Sequence, residues 1–231
     1  MVWAAAWLYK ATGDTAYLNK AKQLYVNKDV SEFSWDEKTL GGNILLAQLT
    51  GEEPYVNKAA YFCNKMAERQ PKTPKGMVWI QKWGALRHAS NVAFACLEAA
   101  KIDSPSIDAD KFRQFALGQI NYALGDTGRS YVVGFGVNPP TRPHHRSSSC
   151  PVDSSKSCDW NDSKQAGPNP STLWGALVGG PGQDDSYVDD RGDFVKNEVA
   201  CDYNAGFQSA VAALRDLAGK GGLPGKEGIT C

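Results

Sequence analysis

The sequence predicts an all-α fold: about seven helices forming part of a ring, with a long loop over one face. Three observations point to it. A helical hairpin occurs twice near the N-terminus. Period-2 alternation is nearly absent, so no strand is expected. The stretch from Gly125 to Asp193 carries almost no helical period, yet it is rich in Gly, Pro and Ser and holds Tyr131, Phe135, Trp160, Trp174 and Tyr187.

The elements follow in order. Met1 to Leu8 runs directly into a helical pattern without the basic flank of a signal peptide, and reads as the inside of a helix. Leu8 to Ala21 then aligns with Leu46 to Ala59. In each copy a glycine, Gly13 or Gly51, supplies the left-handed residue that ends a helix, and an acidic residue follows at the positive start of the next. Tyr17, Ala21 and Leu24 recur as Tyr55, Ala59 and Phe62 at helical spacing, so the repeating unit is a tight αα-hairpin. Further helices are expected over Asp36–Leu49, Trp83–Ala100, Ile107–Leu124 and Phe194–Leu217, each with an apolar stripe. An open solenoid would show more copies and short connections. One repeat pair and one aromatic-rich loop fit a ring of helices better, since a loop of that length inside a domain is usually functional.

Bulk composition removes several classes of function. The 231 residues carry 25 Lys+Arg and 25 Asp+Glu, so no basic face invites nucleic acid or an anionic membrane. No apolar run reaches the ~18 residues of a membrane helix. Among the cysteines, Cys63, Cys96 and Cys201 lie in apolar helical contexts that suit small buried thiols. Cys150 and Cys158 flank a short Ser-rich loop that they either close as a disulfide or leave open. No zinc spacing occurs.

Two segments carry the chemistry. Glu198 is expected about one turn into the last helix, with Asp193 as its N-cap and Phe194, Cys201 and Asp202 as helical neighbours. A carboxyl against Phe194 and Cys201 would be partly desolvated and suited to general acid work. The same residue also reads as a solvated glutamate near a helix start. Upstream, Pro139-Pro140-Thr141-Arg142-Pro143 stiffens the chain ahead of His144 and Arg146, which suit sugar hydroxyls or a carboxylate, or form an exposed basic loop. Trp35, Trp79, Trp83, Trp160 and Trp174 fall near helix ends or in loops, where flat rings can pack on sugar faces or serve as core.

The stretch from Ser130 through Gly134, Asn138 and Pro143 to His144-His145-Arg146 resembles the histidine-bearing signature of glycoside hydrolase family 9, the endoglucanases. Tyr187 through Asp189, Phe194, Glu198 and Ala200 to Asn204-Ala205 resembles that family's acidic signature. Trp3 to Tyr9, Phe33-Ser34-Trp35-Asp36 and Trp83 to Asn91 are similar too, so the resemblance covers essentially all of residues 1–231, as the C-terminal part of a single catalytic domain. It implies a partial (α/α)6 barrel, about seven of twelve helices. It also implies hydrolysis of internal β-1,4 bonds of cellulose with inversion. Glu198 matches the proton donor, Asp189 the other marked carboxylate, and His144 and Arg146 the active-site pair. Tyr203, Trp35, Trp83 and Arg87 match positions that line the substrate.

The family's catalytic base sits in an Asp-Ala-Gly-Asp motif that this sequence lacks. The chain is therefore expected to be inactive alone, with the N-terminal half of the same domain as its missing partner; Asp184 and Asp185 are the substitute bases to examine. A half ring is also expected to associate through uncovered apolar faces. The resemblance further implies a β-1,4-glucan substrate and an extracellular location. It requires no cofactor, though it admits a structural calcium with oxygen ligands such as Asp36. The competing readings are a non-catalytic carbohydrate-binding relic and a helical-repeat scaffold.

Overall fold

The computed structural model of the chain describes residues 1–225. Seven helices of ten or more residues build it: α1 (Val2–Thr12), α2 (Thr15–Leu24), α3 (Thr39–Thr50), α4 (Glu53–Asn64), α5 (Ala85–Ala99), α6 (Ala109–Leu124) and α9 (Cys201–Gly219). Two one-turn helices lie between, α7 (Arg146–Ser149) and α8 (Phe194–Asn197). No strand occurs among the described residues; isolated bridges join Lys72 to Val78, Val132 to Leu177 and His144 to Glu198.

The repeated hairpin is present twice, with matching chemistry. Gly13 (φ 72°) ends α1 and Gly51 (φ 66°) ends α3, both left-handed. The preceding threonines return to the helix identically: Thr12 Oγ1 donates to Leu8 O and Thr50 Oγ1 to Leu46 O, each at 2.8 Å. Each then accepts the backbone N–H two residues on, from Asp14 and Glu52. The Asp14 side chain caps α2 through the Ala16 N–H. Hairpin α1–α2 packs beside α3–α4, and α5 packs against α6 and α9.

Helix starts lie two or three residues inside the sequence expectation: Thr39 in place of Asp36, Ala85 in place of Trp83, and Ala109 in place of Ile107. The apolar stripe does not mark a cap; Asp108 does, accepting from the Lys111 N–H.

The cysteine expectation needs correction. Cys63 on α4 and Cys96 on α5 are not thiols but a disulfide that ties the second hairpin to the central helix. Their apolar surroundings bring two helices close enough to bond, a proximity that sequence spacing does not reveal. Cys201 is a free thiol on the exposed side of α9. Cys150 and Cys158 are joined and close the Ser-rich loop.

The Gly125–Asp193 region is anchored to the helices. Tyr131, Val132, Val133, Leu177 and Val178 are buried in the core. Asn204 on α9 accepts the Leu177 N–H (3.0 Å) and donates to Gly175 O (2.8 Å). Arg191 is buried and spends its guanidinium on oxygens of Asn169, Gln165 and Gly167 at 2.6–2.9 Å, drawing the loop together. These bonds hold the aromatic loop over one end of the helices.

Candidate active site

The last expected helix, Phe194–Leu217, is broken where the chemistry is. After α8 the chain is extended through Glu198 (φ −60°, ψ 145°) and Ala200 (φ −157°, ψ 165°), and α9 begins only at Cys201. An unbroken helix would use the carbonyls of Val195, Lys196 and Asn197 to accept from residues 199, 200 and 201. Here they accept instead from Gly84 N (3.3 Å), Gly180 N (2.8 Å) and His144 N (2.7 Å). Three tertiary donors thus take the place of one helical turn. Glu198 is therefore not one turn into a long helix. It sits in the break, in register with His144 on the neighbouring segment. The expected N-cap is present, since Asp193 accepts from the Lys196 N–H.

The carboxylate's surroundings differ from the expected apolar flank of Phe194 and Cys201. Glu198 Oε2 accepts two hydrogen bonds, from Trp83 Nε1 (2.8 Å) and from the Tyr203 hydroxyl (2.9 Å). Oε1 accepts none among the described residues. The Tyr203 phenol is buried, and burial together with Glu198 pushes its pKa above the ordinary range, so it stays a donor. Gly84 makes this approach feasible: it adopts φ +65°, and a Cβ there would lie 2.9 Å from the Tyr203 ring and hydroxyl. Phe194 serves as a bridge, with ring centroids 5.0 Å from Trp83 and 5.9 Å from His144.

Glu198 lines a cleft of about 380 Å³ together with Trp35, Asp36, Trp83, Arg87 and Tyr203. Four of the expected substrate-lining residues, Trp35, Trp83, Arg87 and Tyr203, are thus brought together. Arg87 is fixed by Asp202 (Nη1 to Oδ2, 3.0 Å) and lies over the Tyr203 ring at 5.0 Å. Its Nη2 donates to His88 Nε2 (2.9 Å). A guanidinium cannot accept, so this imidazole carries its proton on Nδ1, which lies 3.2 Å from Glu32. Burial, reinforced by Arg87, lowers the His88 pKa to about 4, leaving it neutral. Glu32, Gln81, His88 and Asp202 were not anticipated from sequence. His88 and Asp202 lie inside the resembling segments with no role marked there, Glu32 and Gln81 lie on neither α5 nor α9, and the fold links the four through Arg87 and His88.

His144 and Arg146 lie across the break from Glu198 and line a second cavity of about 420 Å³. The His144 Nδ1–H donates to the Arg191 carbonyl (2.8 Å), which leaves Nε2 free of that bond. Asp189 is placed behind them. Its carboxylate accepts from Thr141 N (2.8 Å), Thr141 Oγ1 (2.8 Å) and Arg142 N (3.0 Å), gripping the proline-rich segment that presents His144. Asp185 is held elsewhere by Tyr122 (2.5 Å) and Lys75 N (2.7 Å), and neither Asp184 nor Asp185 lines the cleft with Glu198. Asp36 accepts from Ser34 (2.6 Å), and no group of three or more His, Cys, Asp or Glu side chains gathers among the described residues.

Comparisons with known proteins bear on the fold and the family. The model of "Glycosyl hydrolase family 9" matches residues 1–211. A solved endoglucanase from the termite Nasutitermes takasagoensis superposes with a TM-score of 0.89 at 55% identity, over 94% of this chain and 50% of that one. Endoglucanase CelQ from Clostridium thermocellum, solved with cellobiose and cellotriose, gives a TM-score of 0.81 at 40% identity, over 98% of this chain and 39% of that one. Endoglucanase B of Cellulomonas fimi is 42% identical over 233 residues, covering 93% of this chain and 22% of its own length. The chain thus spans half or less of each of these relatives, and its helices correspond to part of an (α/α)6 barrel. With the fold, the two signature segments and the family match in agreement, the chain belongs to glycosyl hydrolase family 9.

Proposed function

We propose that this chain carries the acid side of an endo-β-1,4-glucanase site acting on cellulose with inversion, with Glu198 as general acid. The observation that carries the reading is the asymmetry of its carboxyl group. Oε2 accepts from Trp83 and Tyr203 while Oε1 accepts from no described residue, so a proton borne on Oε1 faces the open cleft. Protonation of the leaving oxygen by a group so oriented contributes about 10²–10⁴-fold to turnover. His144 offers a ring edge to a sugar hydroxyl, and Arg146 adds donors beside it. Trp35, Trp83, Arg87 and Tyr203 line the sugar path. Asp189 supports the site through the loop that it grips. CelQ binds cellobiose and cellotriose, which supports a glucan as the ligand here.

Inversion needs a second carboxylate some 6.5–9.5 Å away, across the sugar, to activate water. No Asp-Ala-Gly-Asp motif occurs in these 231 residues. The base is therefore supplied by sequence outside this chain, the N-terminal half of the domain, and the chain alone is inactive. An extracellular location follows from the same reading, since polymeric cellulose lies outside cells.

The test fuses this chain behind the N-terminal half of the termite relative and assays carboxymethylcellulose. Glu198→Gln is expected to lower turnover by at least about 10²-fold while cellotriose affinity changes less than about threefold. Unchanged turnover would reject Glu198 as the acid. Cellotriose binding without turnover in the parent fusion would favour a non-catalytic relic.

A further inference from the structure

We propose that Trp160, held out on the turn that follows the Cys150–Cys158 disulfide, is a glucan-binding platform that extends the cleft beyond His144. The proposal rests on the glucanase reading and names a further contact for the same ligand. Trp160 is 84% exposed, the most exposed tryptophan in the described chain, and no core contact accounts for it. It lines the second cavity with His144, Arg146, Asp162 and Ser163. An indole face offers an apolar surface to sugar C–H groups, while Arg146 and Asp162 offer hydrogen-bonding groups to hydroxyls.

The turn is built to hold that ring. The disulfide fixes residue 158, two positions before the tryptophan. Asp159 N donates to Asp162 Oδ2 and Asn161 N to Asp159 Oδ1, each at 2.7 Å. Ser163 Oγ donates to Trp160 O (2.7 Å). Downstream, Gln165 O accepts from the buried Arg191, and Gln165 Nε2 donates to Ser149 O. A turn already ordered loses little backbone entropy when a ligand stacks on the ring that it carries. The cavity adjoins the segment that carries the acid, although it shares no lining residue with the Glu198 cleft. His144 lines it, the His144 backbone pairs with Glu198, and Phe194 bridges Trp83 to His144. On this reading a glucan of several units that runs from Trp83 past Glu198 and on over His144 reaches Trp160, and a disaccharide seated at the acid does not.

The experiment is calorimetric titration of the fusion described above, carrying Glu198→Gln so that the ligand is not cleaved, and of its Trp160→Ala variant with cellobiose and cellohexaose. Because the ring is exposed, the variant retains the fold, which circular dichroism checks. The expected result is an affinity loss of about tenfold for cellohexaose and less than about twofold for cellobiose, the signature of one anchoring aromatic at a distance. A Cys150→Ser/Cys158→Ser pair keeps the indole but frees the turn, and is expected to weaken cellohexaose binding by about threefold. Unchanged cellohexaose affinity in Trp160→Ala overturns the platform alone. Unchanged affinity in the cysteine pair overturns the role of the disulfide. Absence of cello-oligosaccharide binding by the parent fusion overturns the glucanase reading and the platform with it.

Discussion

At the scale of single residues, the site is an arrangement of donors. Trp83, Tyr203 and Arg87 are all fixed by partners that are not neighbours in sequence. His88 shows the cost of that arrangement. It is 1% exposed, and its pKa lies near 4 against an unfolded value near 6.5, because burial and Arg87 disfavour the imidazolium. Between those two values the unfolded chain binds a proton that the folded chain refuses. Stability is therefore fully present above about pH 6.5 and is lost as pH falls towards 4, by about 3 kcal/mol in all from this group. Urea titrations at pH 7, 5.5 and 4.5 should show that decline, and a His88→Gln variant should show a shallower one. An equal slope in both would remove His88 as the cause.

At the scale of elements, two joints matter. One is the break between α8 and α9, made by Gly84, Gly180 and His144 donating to carbonyls that a helix would have used. The other is the contact of α5 with its neighbours. Gly206 on α9 fits against Asn91 so closely that a Cβ would lie 2.0 Å from the Asn91 side-chain oxygen. Cys63 and Cys96 tie α4 to α5 across a sequence separation of 33. Closing a loop of that length restricts the unfolded chain, by about 3–4 kcal/mol in the chain-entropy description. A Cys63→Ala/Cys96→Ala pair is expected to lower unfolding stability by about that amount. Because both sulfurs are buried, a mild reductant should leave the bond intact at concentrations that open Cys150–Cys158. A double variant as stable as the parent would show the bond to be dispensable.

At the scale of the whole molecule, one end of the helical array is covered by the aromatic loop, while the α1 side carries uncovered apolar surface. Trp7 and Leu8 are about half exposed, and a groove beside them is lined by Trp3, Phe33, Ile44, Leu45 and Phe94. Large contiguous apolar patches of this kind drive association. Sedimentation velocity should show a weight-average mass that rises with concentration, and Trp7→Lys should reduce the rise. A concentration-independent monomer would count against it. No described helix is long and apolar enough to cross a membrane, so this surface does not belong to a membrane-spanning helix.

The helical class, the hairpin pair with Gly13 and Gly51, the Asp193 cap and the two signature segments were legible in sequence, because each is local: a period, a cap or a fixed spacing. Sequence misplaces Glu198 within its element. Local pattern favours one continuous helix from Phe194 onward, and only three distant donors break it. The same limit explains Cys63 and Cys96, whose apolar helical settings read as thiols until packing brought them together, and the contacts of Arg87 with His88 and Asp202, which no spacing announces. The grip of Asp189 on Thr141 and Arg142 is likewise not legible in sequence. What the chain's own order of residues determines is where helices start and stop and which chemical groups are available. What only the tertiary structure decides is which of those groups share a cleft, because a hydrogen bond between residues 83 and 198 is formed by the fold and encoded in no single stretch.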